Sequence, residues 1–339
     1  MSYIFTYSDL VNFFTEKKYK TIIAADAETV IHVEENGQIV PKTSPGGVSV
    51  ALEPIIKAAG GTYIARAKDN SDKKAVDSQN KVKIEFQQGS YTLKRIFISE
   101  NDMDAYYNGF SNQTLWPLCH IAFQQPQFTT AWYQGYGKIN KEFAASIKKE
   151  LKGKTFLWLN DYQLCLVPKY LEKPKDTMIG LFWHIPWPTW EIFRILPQKK
   201  EILESLLLCD FIGFHRNYHV ENFLETVERE LEVRIERETK KIHYKNHVTT
   251  VKNLPMGIDT DIIKSMYHPE EKESLLRIII KSMLGNNVEK TGIEAYFEQY
   301  RVILGIDRLD YTKGLPARLH AIDTFFQEYP QYIGKLIYL

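Results

Sequence analysis

The chain has 339 residues, of which 44% are hydrophobic and 25% are charged, and its formal net charge is +1. This length is typical of two domains, and the composition excludes wholesale disorder. The balanced charge excludes a general attraction to nucleic acid or to an anionic membrane, so any phosphate must be bound by a few placed residues.

The cysteines and the N-terminal segment indicate the cellular compartment of the chain. Cys119, Cys165 and Cys209 are widely separated, which excludes the usual zinc spacings and a disulfide framework, so each is expected to be a small buried apolar residue. Residues 1–20 contain no signal-peptide core, and no run of about 18 apolar residues could span a bilayer. We expect a cytoplasmic chain with no membrane and no nucleic-acid partner.

Short apolar runs alternate with helical patterns along most of the chain. Helices are predicted over Gly47–Ala59, where Pro54 is expected to cause a kink or an early end, and over Asn140–Leu151. Gly60 and Gly61 are expected to cap the first of them. The predicted strands are Thr21–Ala25, Thr62–Ala67, Val82–Phe86, Leu93–Ser99, Thr155–Leu159, Met178–Trp183 and Phe211–Phe214. Such an alternation predicts an α/β, doubly wound fold with a parallel sheet that is covered on both faces.

The pattern changes after residue 230. Apolar and charged residues alternate over residues 230–252, which predicts a hairpin of edge strands. A boundary near Ile258 then divides the chain into domains over residues 1–258 and 259–339. The second domain is predicted to begin with a charged helix, Asp261–Gly292, and a buried strand, Arg301–Ile306. A helix after Pro316 and a final strand, Lys335–Leu339, are predicted to follow. A doubly wound half needs more units than these, so we expect an incomplete domain, either truncated or completed from elsewhere.

Arg308 and Lys313 are candidates for binding a diphosphate. They lie between a predicted buried strand and a helix, at the strand end where open α/β sheets bind ligands. A guanidinium and an ammonium group there could neutralise phosphate charge. The alternative is a surface salt-bridge cluster with Asp307 and Asp310.

Gly46 and Gly47 precede a predicted helix, where paired glycines allow a phosphate to approach the exposed N–H groups closely. The alternative is a plain loop. The segment is not a Walker loop, because it lacks the lysine that follows in that motif.

Further candidates follow or precede the central strands. Tyr107 and Trp116 belong to an aromatic segment that could stack on sugar rings, although core packing is an alternative. Asp161 and His184 each follow a buried strand, so both are expected to face one crevice and to bind sugar hydroxyls. The alternative for His184 is a histidine satisfied within the core.

The order of these segments resembles the trehalose-6-phosphate synthase family. That family has a GG turn followed by segments similar to YYNGFSNQTLWPLCH, WLNDYQL, LFWHIPWP, LPMGID and GIDRLDYTKG, which begin in this chain at residues 106, 158, 181, 254 and 305. The resemblance spans nearly the whole chain. It implies a retaining, sugar-nucleotide-dependent glycosyltransferase of the GT-B type, with two facing Rossmann-like domains and the donor between them.

The resemblance also implies a role for each candidate residue. The donor nucleoside diphosphate would be held by Gly46, Gly47, Arg308 and Lys313, with His184 on the donor sugar. The acceptor, glucose 6-phosphate in the family, would be bound by Tyr107, Trp116 and Asp161. The catalytic set would be Asp161, His184, Arg308 and Lys313. The resemblance implies that no metal and no cofactor is required. UDP-glucose or ADP-glucose would be a co-substrate, and the leaving diphosphate would take the acceptor proton.

The sequence departs from the family pattern at three places. The family's strand-end Asn-Arg, whose arginine binds the acceptor phosphate, is replaced by the segment Ala25–Glu28, and a carboxylate beside a phosphate is repulsive. Gln163 replaces a histidine. The family's later donor-binding acidic residues and acceptor arginine would lie beyond Leu339.

Three functions therefore stay open at this point. The first is a glucosyltransferase that makes α,α-trehalose 6-phosphate. The second is a relative with another acceptor, such as glycerol 3-phosphate. The third is a truncated, non-catalytic binding or regulatory homologue. A homo-oligomer is possible in each case.

Overall fold

The computed structural model describes residues 7–44, 46–87, 89–121, 124–257 and 300–338. The chain divides into two compact units, residues 1–256 and residues 257–339. The predicted helix over Asp261–Gly292 and the predicted boundary residue Ile258 lie outside the described residues, so both stay predictions.

A ten-stranded sheet with a parallel centre forms the first unit. The strands of this unit are β1 (Lys20–Ala25), β2 (Val30–Glu35), β3 (Gln38–Thr43), β4 (Thr62–Arg66), β5 (Lys81–Phe86), β6 (Gly89–Ile96), β7 (Thr155–Asn160), β8 (Thr177–Trp183), β9 (Phe211–Phe214), β10 (Arg234–Glu236), β11 (Lys241–Tyr244) and β12 (His247–Asn253). The order across the sheet is β10-β11-β12-β9-β8-β7-β1-β4-β6-β5. Neighbours from β12 to β6 are parallel, and β10, β11 and β5 add antiparallel edges. Strands β2 and β3 form a separate hairpin.

Helices follow most of the parallel strands. They are α1 (Tyr7–Lys17), α2 (Gly47–Ala59), α3 (Glu100–Met103), α4 (Trp116–His120), α5 (Thr130–Lys148), α6 (Val167–Leu171), α7 (Trp190–Phe193), α8 (Lys199–Leu206) and α9 (Asn217–Glu230). A π-helical segment, Asp104–Leu115, joins α3 to α4.

The sheet is buried on both faces, as the apolar strands predict. Along β1, Ile22 and Ala24 belong to one hydrophobic cluster, whereas Ile23 and Ala25 belong to another. Successive side chains of a strand point to opposite faces, so each face of β1 has its own core. The doubly wound arrangement predicted for this part of the chain is therefore confirmed.

Most predicted elements are present with small shifts. The seven predicted strands correspond to β1, β4, β5, β6, β7, β8 and β9. Strand β6 ends at Ile96 rather than at Ser99, because Ser99 caps α3: its Oγ accepts the N–H of Asp102 at 3.2 Å. Helix α2 keeps its predicted bounds although it contains Pro54, and it ends at Gly60, whose φ is 61°.

Two predictions for the first unit were inaccurate. Helix α5 begins at Thr130, ten residues before the predicted start, and ends at Lys148. The hairpin over residues 230–252 exists, but only part of it lies at the edge. Strand β12 pairs in parallel with β9, so β12 is an interior strand and β10 is the edge.

The second unit contains β13 (Arg301–Ile303), α10 (Leu315–Glu328) and β14 (Leu336–Tyr338), and the two strands pair in parallel. The predicted strand over Arg301–Ile306 is shorter than expected and its residues are exposed, so the prediction of a buried strand was wrong. A parallel strand is buried when layers cover both faces, and the described part of this unit supplies one neighbouring strand and one long helix.

Three further features bear on the sequence predictions. Cys119, Cys165 and Cys209 are free and buried, as predicted. Across the ranges that the structure describes, no helix combines the length and the apolar character that a bilayer crossing requires. The same ranges hold no group of three or more His, Cys, Asp or Glu side chains placed to bind a metal.

Gly61 allows β4 to pass close to β1. A Cβ atom at this position would lie 2.0 Å from the carbonyl oxygen of Thr21, which is backbone and cannot move aside cheaply. We expect Gly61→Ala to lower the free energy of unfolding by about 3 kcal/mol, measured by urea denaturation. The control is Gly47→Ala, where a Cβ would meet no atom within 4 Å. A Gly61→Ala variant as stable as this control would contradict the prediction.

Candidate functional site

The strand order of the sheet reverses between β1 and β7. Loops that leave the carboxyl ends of strands at such a switch point run in opposite directions and open a crevice, in which open α/β sheets bind ligands. Here Asp26 follows β1, Asp161 follows β7, His184 follows β8, and Arg66 is the last residue of β4. The structure therefore gathers two predicted residues and two unpredicted ones at this crevice.

Asp161 is held in a strained backbone conformation. Its φ is 72° and its ψ is 170°, a region that is nearly restricted to glycine. Its Oδ1 accepts the N–H of Tyr162 at 3.0 Å and the N–H of His184 at 3.1 Å, while its own N–H donates to the carbonyl of Phe182 at 2.7 Å. These bonds fix the carboxyl group at the strand end and bring Asp161 and His184 into contact.

Burial changes the proton affinity of Asp161. Desolvation raises the pKa of this carboxyl to about 7, against the two backbone hydrogen bonds, and the charge of Asp26 raises it further. The group can therefore exist in both protonation states near neutral pH, so it can accept or donate a hydrogen bond to a sugar hydroxyl.

His184 is a neutral imidazole. Burial, and then repulsion from His215, lower its pKa to about 3. The Nε2 atom lies 3.4 Å from Oδ1 of Asn160, and an amide oxygen can only accept, so Nε2 donates in that contact. The ring of Phe182 lies 4.6 Å from that of His184 and 4.9 Å from that of His215. A neutral imidazole in this position can bind a hydroxyl without adding charge.

The two predicted aromatic residues lie beside side chains that border the crevice. Trp116 begins α4, and its ring lies 6.1 Å from that of Tyr162, whose hydroxyl donates to Oδ1 of Asn112 at 3.2 Å. Tyr107 lies in the π-helical segment, and its ring lies 5.2 Å from the guanidinium carbon of Arg66. π-helical geometry is rare and is frequent at functional sites. Tyr107 and Trp116 are thus tied to the crevice through Arg66 and Tyr162.

The glycine pair lies where the sequence predicts. Gly46 has a φ of 143° and precedes α2, and Gly47 is the first residue of that helix; both are exposed. The preceding turn is anchored, because the N–H of Ser44 donates to the carbonyl of Thr29 at 2.9 Å and Nζ of Lys68 donates to Oγ of Ser44 at 2.9 Å. No side-chain hydrogen bond caps this end of α2 and its first turn carries no acidic residue, which suits the helix end to an anion.

The segment in place of the family's Asn-Arg forms an ion pair. Oδ1 and Oδ2 of Asp26 accept from Nε and Nη2 of Arg66 at 2.9 Å and 2.8 Å, and both side chains are buried. Burial works to lower the pKa of Arg66, but attraction to Asp26 outweighs it and the pKa is raised. The repulsion expected between this carboxylate and a phosphate is therefore offset by an adjacent guanidinium.

A second buried ion network lies beside this pair. Nε of Arg95 donates to Oε2 of Glu28 at 2.8 Å, and Nη2 lies 2.7 Å from Oδ1 of Asp72. Burial raises the pKa of Glu28 to about 7, although Arg95 works in the opposite direction. Asp72 also accepts the N–H of His32 at 2.7 Å. This network fixes the loop that follows β1 to β6 and to the turn at residues 70–74.

Arg308 and Lys313 lie in the second unit, between β13 and α10. Gly314, with a φ of 62°, and a proline in the first turn begin α10, as the sequence predicts. Asp307 binds Arg318, whose Nη2 lies 2.7 Å from its Oδ2. One of the two aspartates proposed for a salt-bridge cluster thus has another partner.

Asp310 caps the turn that contains Lys313. Its Oδ1 accepts the N–H of Thr312 at 2.9 Å and the hydroxyl of Thr312 at 2.7 Å. Burial acts to raise the pKa of Asp310, but these bonds and the charges of Arg308 and Lys313 lower it. The two cations therefore lie near enough to this carboxylate to lower its pKa.

Sequence reasoning missed Arg66, Glu28 and Arg95. A usable signal existed for Arg66, since it ends an apolar strand and the same rule identified Arg308. No comparable signal existed for Glu28 and Arg95, which are 67 residues apart and meet only through the packing of β1, β4 and β6.

Comparisons with known proteins were consistent with one another. The model of glycosyltransferase family 20 matches residues 18–339. The UDP-forming α,α-trehalose-phosphate synthase of Candida albicans is 36% identical over 266 residues, which are 77% of this chain and 52% of that protein. The 56 kDa subunit of the Saccharomyces cerevisiae enzyme is 31% identical over 320 residues, which are 91% of this chain and 60% of that protein. The chain thus spans about half the length of the curated relatives it matches.

Solved structures show the same likeness. A trehalose-6-phosphate synthase structure of OtsA superposes with a TM-score of 0.74 at 28% identity, covering 94% of this chain and 64% of that one. An Escherichia coli structure bound with UDP-2-fluoro glucose gives a TM-score of 0.72 at 25% identity, covering 94% of this chain and 63% of that one. The predicted fold class, α/β of the GT-B type, is confirmed.

Proposed function

The chain belongs to glycosyltransferase family 20, and on that premise we propose that the whole protein transfers glucose from UDP-glucose to glucose 6-phosphate, with retention, to form α,α-trehalose 6-phosphate. Support for the donor comes from the matched synthases, which are named as UDP-forming. ADP-glucose is the alternative donor. Neither a metal nor a further cofactor takes part in the proposal.

One observation carries this proposal: Asp161 is strained, buried and bonded to His184 at the switch point of the sheet. Strained backbone at a ligand crevice is maintained only when the surrounding structure over-determines it, and such residues cluster at active sites. In the proposed reaction Asp161 orients an acceptor hydroxyl, with Tyr107 and Trp116 against the acceptor sugar. His184 binds the donor sugar.

The chemistry needs no base from the protein. The bond between the anomeric carbon and the diphosphate oxygen breaks, the acceptor oxygen bonds to that carbon on the same face, and the departing diphosphate takes the hydroxyl proton. Negative charge grows on the diphosphate as the bond breaks, so Arg308 and Lys313 would act by stabilising that charge.

Product formation from UDP-glucose and glucose 6-phosphate tests the proposal. We expect the whole protein to release UDP and to form a trehalose phosphate with the α,α configuration, detected by NMR. Asp161→Asn should lower kcat/KM by about ten- to a hundredfold, because a hydrogen bond to a charged group is lost. Asp176→Asn is the matched control. Asp176 is exposed and precedes β8, so it lies at the amino end of that strand, whereas Asp161 lies at the carboxyl end of β7.

The acceptor panel should include glycerol 3-phosphate and glucose. If glucose 6-phosphate yields no product while another acceptor is glucosylated, the proposed acceptor is wrong. If no acceptor is glucosylated and the protein still binds UDP, the non-catalytic alternative holds instead.

A further inference from the structure

The acceptor side of the crevice lacks an arginine after β1. Position 27 is an alanine, whose methyl group offers nothing to an anion. The neighbouring strand instead ends in Arg66, and the backbone N–H of Arg66 donates to the carbonyl of Asp26 at 3.3 Å. A guanidinium is therefore present at the crevice, but at the end of β4. The family resemblance implies an arginine after the neighbouring strand β1.

One edge of this guanidinium is fixed by the protein. Nε and Nη2 of Arg66 donate to the two carboxylate oxygens of Asp26 at 2.9 Å and 2.8 Å. A guanidinium has five N–H donors in a rigid plane, so a bidentate bond along one edge still leaves donors on the other. The weak contact from Nη1 to the carbonyl of Ala67, at 3.5 Å, uses little of that capacity.

The second contact of Arg66 places it in the proposed acceptor site. The face of Tyr107 lies 5.2 Å from its guanidinium carbon, which is a cation–π distance. Tyr107 is one of the residues proposed to bind the acceptor sugar. Asp161, proposed to orient the acceptor hydroxyl, lies near enough to Asp26 for its pKa to be raised by that charge. The pair thus lies among the residues of one site.

We propose that Arg66 binds the phosphate group of the acceptor and selects phosphorylated over neutral sugars, with Asp26 as the positioning residue that holds the guanidinium plane. This inference rests on the proposed function. Arginine suits the role because its planar fork matches the oxygens of a phosphate bidentately, whereas lysine acts as a point charge. The Asp26–Arg66 pair is neutral as a whole, so selectivity comes from the fixed direction of the donors.

Two variants test the proposal in the whole protein. Arg66→Lys keeps the charge and loses the fork. The double variant Asp26→Asn/Arg66→Gln replaces the ion pair by two amides of similar size, which avoids leaving a buried charge alone. In both we expect the KM for glucose 6-phosphate to rise by roughly ten- to a hundredfold, while the KM for UDP-glucose stays within about twofold. Inorganic phosphate, which should compete with glucose 6-phosphate, should lose affinity by a similar factor.

The control is a neutralised ion pair elsewhere. Arg237 and Glu228 form an exposed pair, so Glu228→Gln/Arg237→Gln removes the same charges far from the crevice. It should leave both KM values within about twofold of the wild type. If the Arg66 variants keep the wild-type KM for glucose 6-phosphate, the inference is wrong although the proposed function stands. If they weaken both substrates equally, Arg66 has only a structural role. A wild-type protein that forms no product from glucose 6-phosphate overturns the proposed function and this inference together.

Discussion

Replacing Arg95 by methionine is expected to lower the free energy of unfolding by about 3–5 kcal/mol, because the change leaves buried charges without a partner. Arg95 binds Glu28 at 2.8 Å and Asp72 at 2.7 Å, and all three side chains are fully buried. Methionine fills similar space but leaves two carboxylates facing each other. The measurement is urea unfolding of the whole protein, followed by circular dichroism.

A control variant and a comparison at two pH values complete this test. Lys83→Met makes the same change of charge at an exposed position of β5 and should cost less than about 0.5 kcal/mol. The pKa of Glu28 is raised from 4.5 to about 7 in the folded protein, so the folded state binds a proton more readily than the unfolded state. The contribution of Glu28 to the free energy of unfolding therefore falls as the pH rises from about 4.5 to about 7. The loss caused by Arg95→Met should be larger at pH 8 than at pH 5, and an equal loss at both would refute the role of Glu28.

Arg308→Gln and Lys313→Gln are each expected to lower kcat by about a hundred- to a thousandfold, the effect of removing one group that stabilises charge in a transition state. Both residues lie between β13 and α10. In the proposed reaction they face the departing diphosphate, so the loss should appear in kcat more than in the KM for UDP-glucose. The measurement is steady-state UDP release.

A nearby cation serves as the control for that prediction. Arg301 is exposed in β13, so Arg301→Gln should retain activity within about twofold. If Arg308→Gln and Lys313→Gln also retain it, the two cations serve the alternative role of a surface cluster around Asp310, whose pKa they help to lower.

The central sheet could be predicted because its strands are continuous apolar runs. Segments such as Thr155–Asn160 and Phe211–Phe214 are apolar on both faces, which favours the interior of a parallel sheet that is covered on both sides. The same rule failed for Arg301–Ile303, where the residues are apolar enough but the described part of the unit lacks a second covering layer. Apolar content therefore predicts a strand, and burial depends on what else is packed around it.

The candidate site was only half predictable. Asp161 and His184 follow strands directly, so sequence position alone places them at one edge of the sheet. Arg66 and Asp26 are 40 residues apart, and their pairing depends on β4 lying beside β1 with Ala65 level with Ala25. That register comes from packing, including the close approach at Gly61. The presence of a guanidinium beside the Asp26 carboxylate at the crevice thus could not be deduced from the sequence.

The backbone of Asp161 has a consequence for how the molecule tolerates heat. A non-glycine residue at φ 72° and ψ 170° carries a cost of the order of 1–3 kcal/mol, which glycine would not. Glycine, however, would supply no carboxylate. The chain thus gives up some thermal stability at this position and keeps a buried carboxyl group that is bonded to the backbone of His184.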